Sequence, residues 1–447
     1  MSDSPARSNK VGRSAVIAFA SRMIFTLLSF AVTALTALHY GAATVGVVAI
    51  ATTISTIGGI FGNLGTSSSA TYYISAYVHG SPPGGVRHAY YRGAVVCLGG
   101  CILVSGLAFA GRDSMLALGL SWEGLGDDAL TALALTIACM WGRSYADLTA
   151  AAIRATDDVW GFSVLQALPA LLSLIILEIG HNLGAGPIIA IWAYVGGIVL
   201  SALLGLVWME IRLQGIQIGT QSDREVPSLQ TIARYSLPTM ISTLGGYVVT
   251  ATGVLILSHF ASEESVGYFA IALRLATTTS LILTSINAIT TPMFARLHHS
   301  GQQAEIVTLG KSTARMMFWA VAPVALGLVL LGRPFLQIFF GDTFVVAYVP
   351  MVILLAGQLI NTLTGPSDFI MNMTGRQRQL QLIIIPSAAL SVFLGAVLAG
   401  PYAEVGSAIA YSASLTAWNL MVALYLRRSL GGWVGYLPVF SGLARKR

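Results

Sequence analysis

Twelve apolar runs, most of them near twenty residues long, constrain this chain more than any other feature. About 20 apolar residues are what an α-helix needs to cross a hydrocarbon layer of about 30 Å, and no soluble core requires so many such runs. Reading the runs against charged residues, Pro and Gly places the first six spans at 14–38, 44–66, 93–111, 128–152, 160–180 and 187–209. The second six fall at 235–258, 266–292, 314–332, 345–372, 380–399 and 404–426. Composition agrees, with 55% hydrophobic residues against 9% charged. The first run is too long for the core of a cleavable signal and lacks a small-residue cleavage site after it. The expected fold is an all-α polytopic membrane protein, with an added interfacial segment in 112–127 as the least defined element.

The basic residues orient these spans. Of the 24 Lys and Arg residues, only Arg112 and Arg333 fall in expected outer loops, and only Arg22, Arg143 and Arg274 fall deep inside spans, Arg315 standing at the inner edge of its own. All the others lie in the inner loops and tails, which places both termini in the cytoplasm. The outer loops carry acids instead, among them Glu123, Asp128, Glu263 and Glu404. Cys97, Cys101 and Cys139 all fall within spans and read as small apolar core residues rather than redox or metal ligands.

The chain repeats itself. Residues 36–46 (TALHYGAATVG) resemble 256–267 (ILSHFASEESVG), and Ile153, Leu165 and Pro169 match Ile370, Leu382 and Pro386 at a constant offset. Each half therefore holds six spans and starts on the same side, which makes the repeats parallel. The expected division is an N-terminal six-helix bundle over 1–215, a polar linker over 216–234 and a C-terminal bundle over 235–447. Two such bundles with a cleft between them form a transporter architecture.

Several motifs carry a family resemblance. Asn372-Met373-Thr374-Gly375-Arg376-Gln377-Arg378 resembles a turn of the bacterial polysaccharide flippases. Gly406-Ser407-Ala408-Ile409-Ala410 and Arg427-Arg428-Ser429-Leu430-Gly431 resemble the opening and the basic end of their last helix. Tyr40-Gly41 through Gly46, then Gly62-Asn63-Leu64-Gly65, resemble the stretches flanking their second helix, with Asn63 near a position that is often acidic. Together these resemble the Wzx-type O-antigen flippases of the multidrug/oligosaccharidyl-lipid/polysaccharide exporter superfamily. The resemblance implies two six-helix lobes around a central V-shaped cavity that opens alternately to each side. It implies movement of an undecaprenyl-pyrophosphate-linked glycan to the outer leaflet of a bacterial cytoplasmic (inner) membrane, with polysaccharide polymerases as partners.

The three arginines within spans are the main candidates for substrate contact. A guanidinium keeps its charge in a protein, so one at membrane depth faces water or a partner rather than lipid. Arg22 lies low, Arg143 near the middle and Arg274 high in their spans, a staggered ladder suited to an anionic pyrophosphate, whose oxygens planar guanidinium donors can hold in pairs. The repeat aligns them near Ser242, Ile360 and Thr53, so the scaffold's symmetry did not place them. The resemblance adds that the lipid II flippase has functional arginines on its first and eighth helices, which bears on Arg22 and Arg274 only. The plainer alternatives are snorkelling of Arg22 and Arg274 to their interfaces, and neutralisation of Arg143 by Asp147 four residues on.

Asp147 and Asp368 form a second candidate group, for coupling to H⁺ or Na⁺. Asp368 follows Gly365-Pro366, and a proline inside a helix leaves a carbonyl unpaired, so a carboxylate beside free carbonyls suits a small cation. Solvation of Asp368, or a pair with Arg376, is the plainer alternative. Asn287, Gln358, Asn361 and Asn419 are expected to bond between helices, Tyr72, Tyr73, Tyr90 and Tyr91 to form interfacial belts, and Glu178 to be solvated. No catalytic residue, metal, cofactor or nucleic-acid partner is expected beyond the glycan, membrane lipids and the counter-ion. An ion-coupled multidrug exporter is the alternative reading, disfavoured by the buried arginines, and a membrane glycan polymerase or ligase a more distant one.

Overall fold

The computed structural model describes residues 5–80, 84–110, 129–215 and 228–436. The 112–127 stretch and most of the expected linker lie outside the described residues. Among the described residues the chain is helical, and it divides into two compact units, Met1–Leu244 and Gly245–Arg447.

The first unit holds α1 (Pro5–Asn63), α2 (Thr66–Gly80), α3 (Gly84–Ala110), α4 (Ala129–Ala155), α5 (Val159–Asn182) and α6 (Ile189–Gly215). It also takes the first part of α7 (Leu229–Phe260). At 1.5 Å per residue α1 would run to roughly 90 Å if straight, about three bilayer cores. It breaks at Gly41, whose φ of 81° and ψ of −176° divide it into two arms. The second arm ends at Leu64 (φ 50°) and Gly65 (φ 77°), after which α2 continues. A Cβ at Gly65 would stand 2.2 Å from the Ser236 carbonyl oxygen of α7, so both the dihedral and the close approach require glycine there.

The second unit holds α8 (Glu263–Thr278), α9 (Ser280–His299), α10 (Gln303–Phe340), a 3-10 turn (Asp342–Ala347), α11 (Tyr348–Thr364), α12 (Ser367–Met373) and α13 (Gln377–Leu430). α13 likewise holds two arms, meeting at Ala403 with φ 43°. Gly406 lies just past this bend, where a Cβ would meet the Leu398 carbonyl oxygen at 2.1 Å, which gives the Gly406–Ala410 motif its physical reason. The Asn372–Arg378 motif is a helix stop: Gly375 adopts φ 72° and the Arg376 N–H reaches back to the Met371 carbonyl at 2.9 Å.

Nine described stretches are long and apolar enough to cross a membrane. Two of them, α1 and α13, contain two arms each, and α4, whose charged face lowers its apolarity, adds the twelfth pass. The twelve expected spans are therefore present in an all-α polytopic membrane protein. The three cysteines are free and buried, with Cys97 and Cys101 in the apolar core of the first unit. Gln358 contacts Tyr411 and Ser280 on neighbouring helices, as expected of an interhelical amide.

Candidate functional site

α4 organises the first unit. Its packed side meets the glycine-rich end of α1, where a Cβ at Gly58, Gly59 or Gly62 would come within 2.5, 2.7 and 2.5 Å of the Met140, Arg143 and Ser144 side chains. Small residues let two helices approach this closely, and the stem of Arg143 is set against Gly59 as a result. Ser144 Oγ–H is shared between the Met140 and Gly59 carbonyls at 2.8 and 3.1 Å.

Asn63 locks the same junction. Its Nδ2 donates to the Ser144 carbonyl at 2.9 Å, while its Oδ1 accepts from both the backbone N–H and the hydroxyl of Ser67 at 3.1 Å. The side chain uses a donor and an acceptor at once, which a carboxylate could not do.

A cavity of about 440 Å³ lies within this unit. Arg143, Asp147, Ala150 and Arg154 all line it from α4. At 100° per residue these four positions fall in one narrow stripe, with the two arginines three turns, or about 16 Å, apart. Arg143 Nε stands 3.3 Å from Asp147 Oδ2, and both side chains are well exposed, at 39% and 49%. Arg154 Nη2 contacts Thr71 Oγ1 at 3.5 Å, and its guanidinium carbon lies 5.2 Å from the centre of the Phe162 ring. Asn63, Ser67, Ser68 and Gln166 add polar wall, and Phe25 of α1 closes part of it. The arrangement is cationic and wettable, with one carboxylate between two guanidinium groups, and suits an anion with neighbouring hydroxyls.

The other sequence candidates are distributed more widely. Arg22 is exposed on α1, three residues before Phe25, and does not itself line the cavity. Arg274 is half-buried on α8 of the second unit and makes no ion pair or side-chain hydrogen bond among the described residues. Thr277 and Thr278 lie one turn on, each bonded back to the helix carbonyls. A partly accessible stripe of Arg and Thr in an apolar helix fits contact with water better than with lipid.

Asp368 occupies the first turn of α12, behind the break at Gly365 (φ 74°) and Pro366. Its Oδ1 is buried without a hydrogen-bond partner, and so is Arg376 Nη1; no ion pair joins them among the described residues. One expectation is corrected. The carbonyls freed by Pro366 are not left open: the Gly365 N–H takes Thr362 O at 3.2 Å, the Tyr436 N–H takes Leu363 O at 2.8 Å, and the Ser367 hydroxyl takes Thr364 O at 2.8 Å. The chain's own donors reach them because the break is tight.

Arg154 was not among the sequence candidates, because span 4 was expected to end at 152 whereas α4 runs to Ala155. Its signal was the eleven-residue spacing from Arg143, which is three helical turns. Glu178, expected to be solvated, is partly exposed and also lies 3.2 Å from His39 Nε2.

Residues 166–349 match the family described as polysaccharide biosynthesis protein. Over 240 residues the chain is 24% identical to the probable low-salt glycan biosynthesis flippase Agl15 of Haloferax volcanii. That match takes in 53% of this chain and 48% of the relative, so it spans about half the relative's length. An inward-facing multidrug resistance MATE family transporter of the MOP superfamily superposes with a TM-score of 0.72 at 15% identity, over 93% of this chain and 98% of that one. The fold is similar to that of this MOP-superfamily transporter, and part of the chain matches the polysaccharide-biosynthesis family. The lipid II flippase MurJ, in an inward closed conformation, superposes with a TM-score of 0.68 at 12% identity, over 94% and 88% of the two chains. At such identities the MOP likeness establishes the fold of the chain and not its cargo.

Proposed function

We propose that the chain is a flippase that carries a polyprenyl-pyrophosphate-linked oligosaccharide across a bacterial cytoplasmic membrane by alternating access, with no covalent chemistry. The observation that carries this reading is the α4 stripe, in which Arg143 and Arg154 line one cavity with Asp147 between them. A pyrophosphate offers several acceptor oxygens, and guanidinium donors three turns apart provide two successive stations for it. Hydroxyl and amide groups of Ser67, Ser68 and Gln166 suit the sugars beside it. The match to a glycan biosynthesis flippase supports the same class of cargo. In this reading Arg22 and Arg274 are further cationic stations, and Asp147 and Asp368 are the candidates for H⁺ or Na⁺ coupling.

The test is reconstitution of the full chain into vesicles carrying a labelled undecaprenyl-pyrophosphate oligosaccharide. Faster loss of label protection than in protein-free vesicles, abolished in Arg143→Ala/Arg154→Ala, is the expected result. No acceleration by the wild type sinks the reading. A multidrug exporter is the second reading, favoured by the MATE likeness; transport of organic cations by the same vesicles, with the lipid-linked glycan unmoved, would select it.

A further inference from the structure

Away from that cavity, α1 and α5 bring together four titratable side chains that are far apart in sequence. The His39 and His181 rings stack with centroids 3.7 Å apart and planes 16° from parallel. His39 Nε2 lies 3.2 Å from Glu178 Oε1, and His181 Nδ1 lies 3.3 Å from the Tyr40 hydroxyl. That hydroxyl donates its single hydrogen to the Ala185 carbonyl at 3.2 Å. It must therefore accept from His181, which fixes Nδ1 as the protonated nitrogen of that ring and leaves Nε2 to take any further proton. All four side chains are partly accessible, so protons reach them.

We propose that His39, His181 and Glu178 form a single-proton site that clasps the end of the first arm of α1 to α5. Neutral rings stack without penalty, and one protonated ring is balanced by Glu178. Two imidazolium rings at this separation repel, and a single carboxylate neutralises only one of them. Among the described residues, His39–Glu178 is the one ion pair these groups make. α1 contributes His39 and Tyr40, α5 contributes Glu178 and His181, and the 183–188 connection presents the Ala185 carbonyl. α6 brings Ile189, Ala190 and Ala193 against Leu177. Histidine is the side chain whose unperturbed charge change falls nearest neutral pH.

The geometry also decides which side yields. A Cβ at Gly180 would stand 2.2 Å from Ile189 Cγ1, so the end of α5 is pressed onto the start of α6 and cannot retreat. The end of the first arm of α1 is followed directly by Gly41, where the backbone already departs from the helix. Uptake of the second proton releases that arm at the Gly41 bend. The site uses none of the residues assigned to the cargo and stands or falls independently of it.

Spin labels at Leu38→Cys and Leu183→Cys, two exposed positions on either side of the clasp, report the separation in the full chain in lipid nanodiscs. The native cysteines are buried. A short, narrow distance at pH 8 that gives way to a longer, broader one by pH 5 is expected. In His181→Gln the short distance persists to pH 5. A wild-type distribution that stays the same from pH 8 to pH 5 overturns the proposal without recourse to any variant. So does an unchanged transition in His181→Gln.

Discussion

Arg143 and Asp147 stand one turn apart on α4, Nε to Oδ2 3.3 Å, on the wall of a cavity that also holds Arg154. The pair is short but accessible, and an exposed pair of this spacing contributes only about 0.3–0.5 kcal/mol. An arriving phosphate can therefore replace Asp147 as the partner of Arg143 at small cost. The carboxylate then acts as an internal placeholder, keeping the guanidinium extended along the stripe while the cavity is empty.

The placeholder reading gives the first prediction. Asp147→Asn removes a competing anion from beside Arg143, so inorganic pyrophosphate should bind several-fold more tightly to the purified protein. Arg143→Ala should bind it more weakly, by about tenfold or more, since a charge-assisted bond is worth about 1.5–3 kcal/mol. Calorimetric titration at fixed ionic strength measures both. Equal affinity in wild type and Asp147→Asn would show that the pair does not compete with the ligand.

Asn63 gives a prediction opposite to the one its position in the resemblance suggests. Its amide donates to the Ser144 carbonyl and accepts twice from Ser67, inside a junction where it is only 5% exposed. Asn63→Asp places a carboxylate oxygen against that carbonyl and leaves it without its donor, a loss of about 1–3 kcal/mol. Thermal unfolding in detergent should show a midpoint several degrees lower, whereas Asn63→Asp would be neutral if the position served only to bind a cation.

Gly65 tests the packing of the same junction. Gly65→Ala brings a Cβ to 2.2 Å from Ser236 O at a φ of 77°, and the left-handed backbone alone costs about 1–2 kcal/mol. Gly99, around which a Cβ would meet nothing within 4 Å, is the matched control. A lower unfolding midpoint in Gly65→Ala and none in Gly99→Ala is expected.

How much of this was legible in the sequence follows from the range of each signal. The spans were legible because apolar length is a local property, and the gap after 38 and the Asn372–Arg378 turn marked the bends at Gly41 and Gly375, whereas Gly65, inside the expected span 44–66, was not read as one. The bend at Ala403 was marked by the gap between spans 380–399 and 404–426, though the close return of the chain at Gly406 was not. Arg143 and Asp147 could be paired from their spacing on one helix. The stacking of His39 on His181 joins residues on different helices, and no periodicity encodes it. The fate of the carbonyls behind Pro366 was equally hidden, since Tyr436 comes from a segment beyond α13.

Those occupied carbonyls shape what to expect of Asp368. With Thr362, Leu363 and Thr364 already serving as acceptors, a Na⁺ ion would have to displace or share their donors, whereas a proton needs only the carboxylate. The unpartnered, buried Oδ1 is such a carboxylate oxygen. If Asp368 couples transport, the dependence should therefore be on pH and not on Na⁺. Asp368→Asn keeps the shape and removes the titration, so it should flatten the pH profile of flipping in vesicles while leaving the unfolding midpoint within a few degrees of wild type. A wild-type rate that rises with Na⁺ at constant pH, and loses that rise in Asp368→Asn, would assign the site to the metal ion instead.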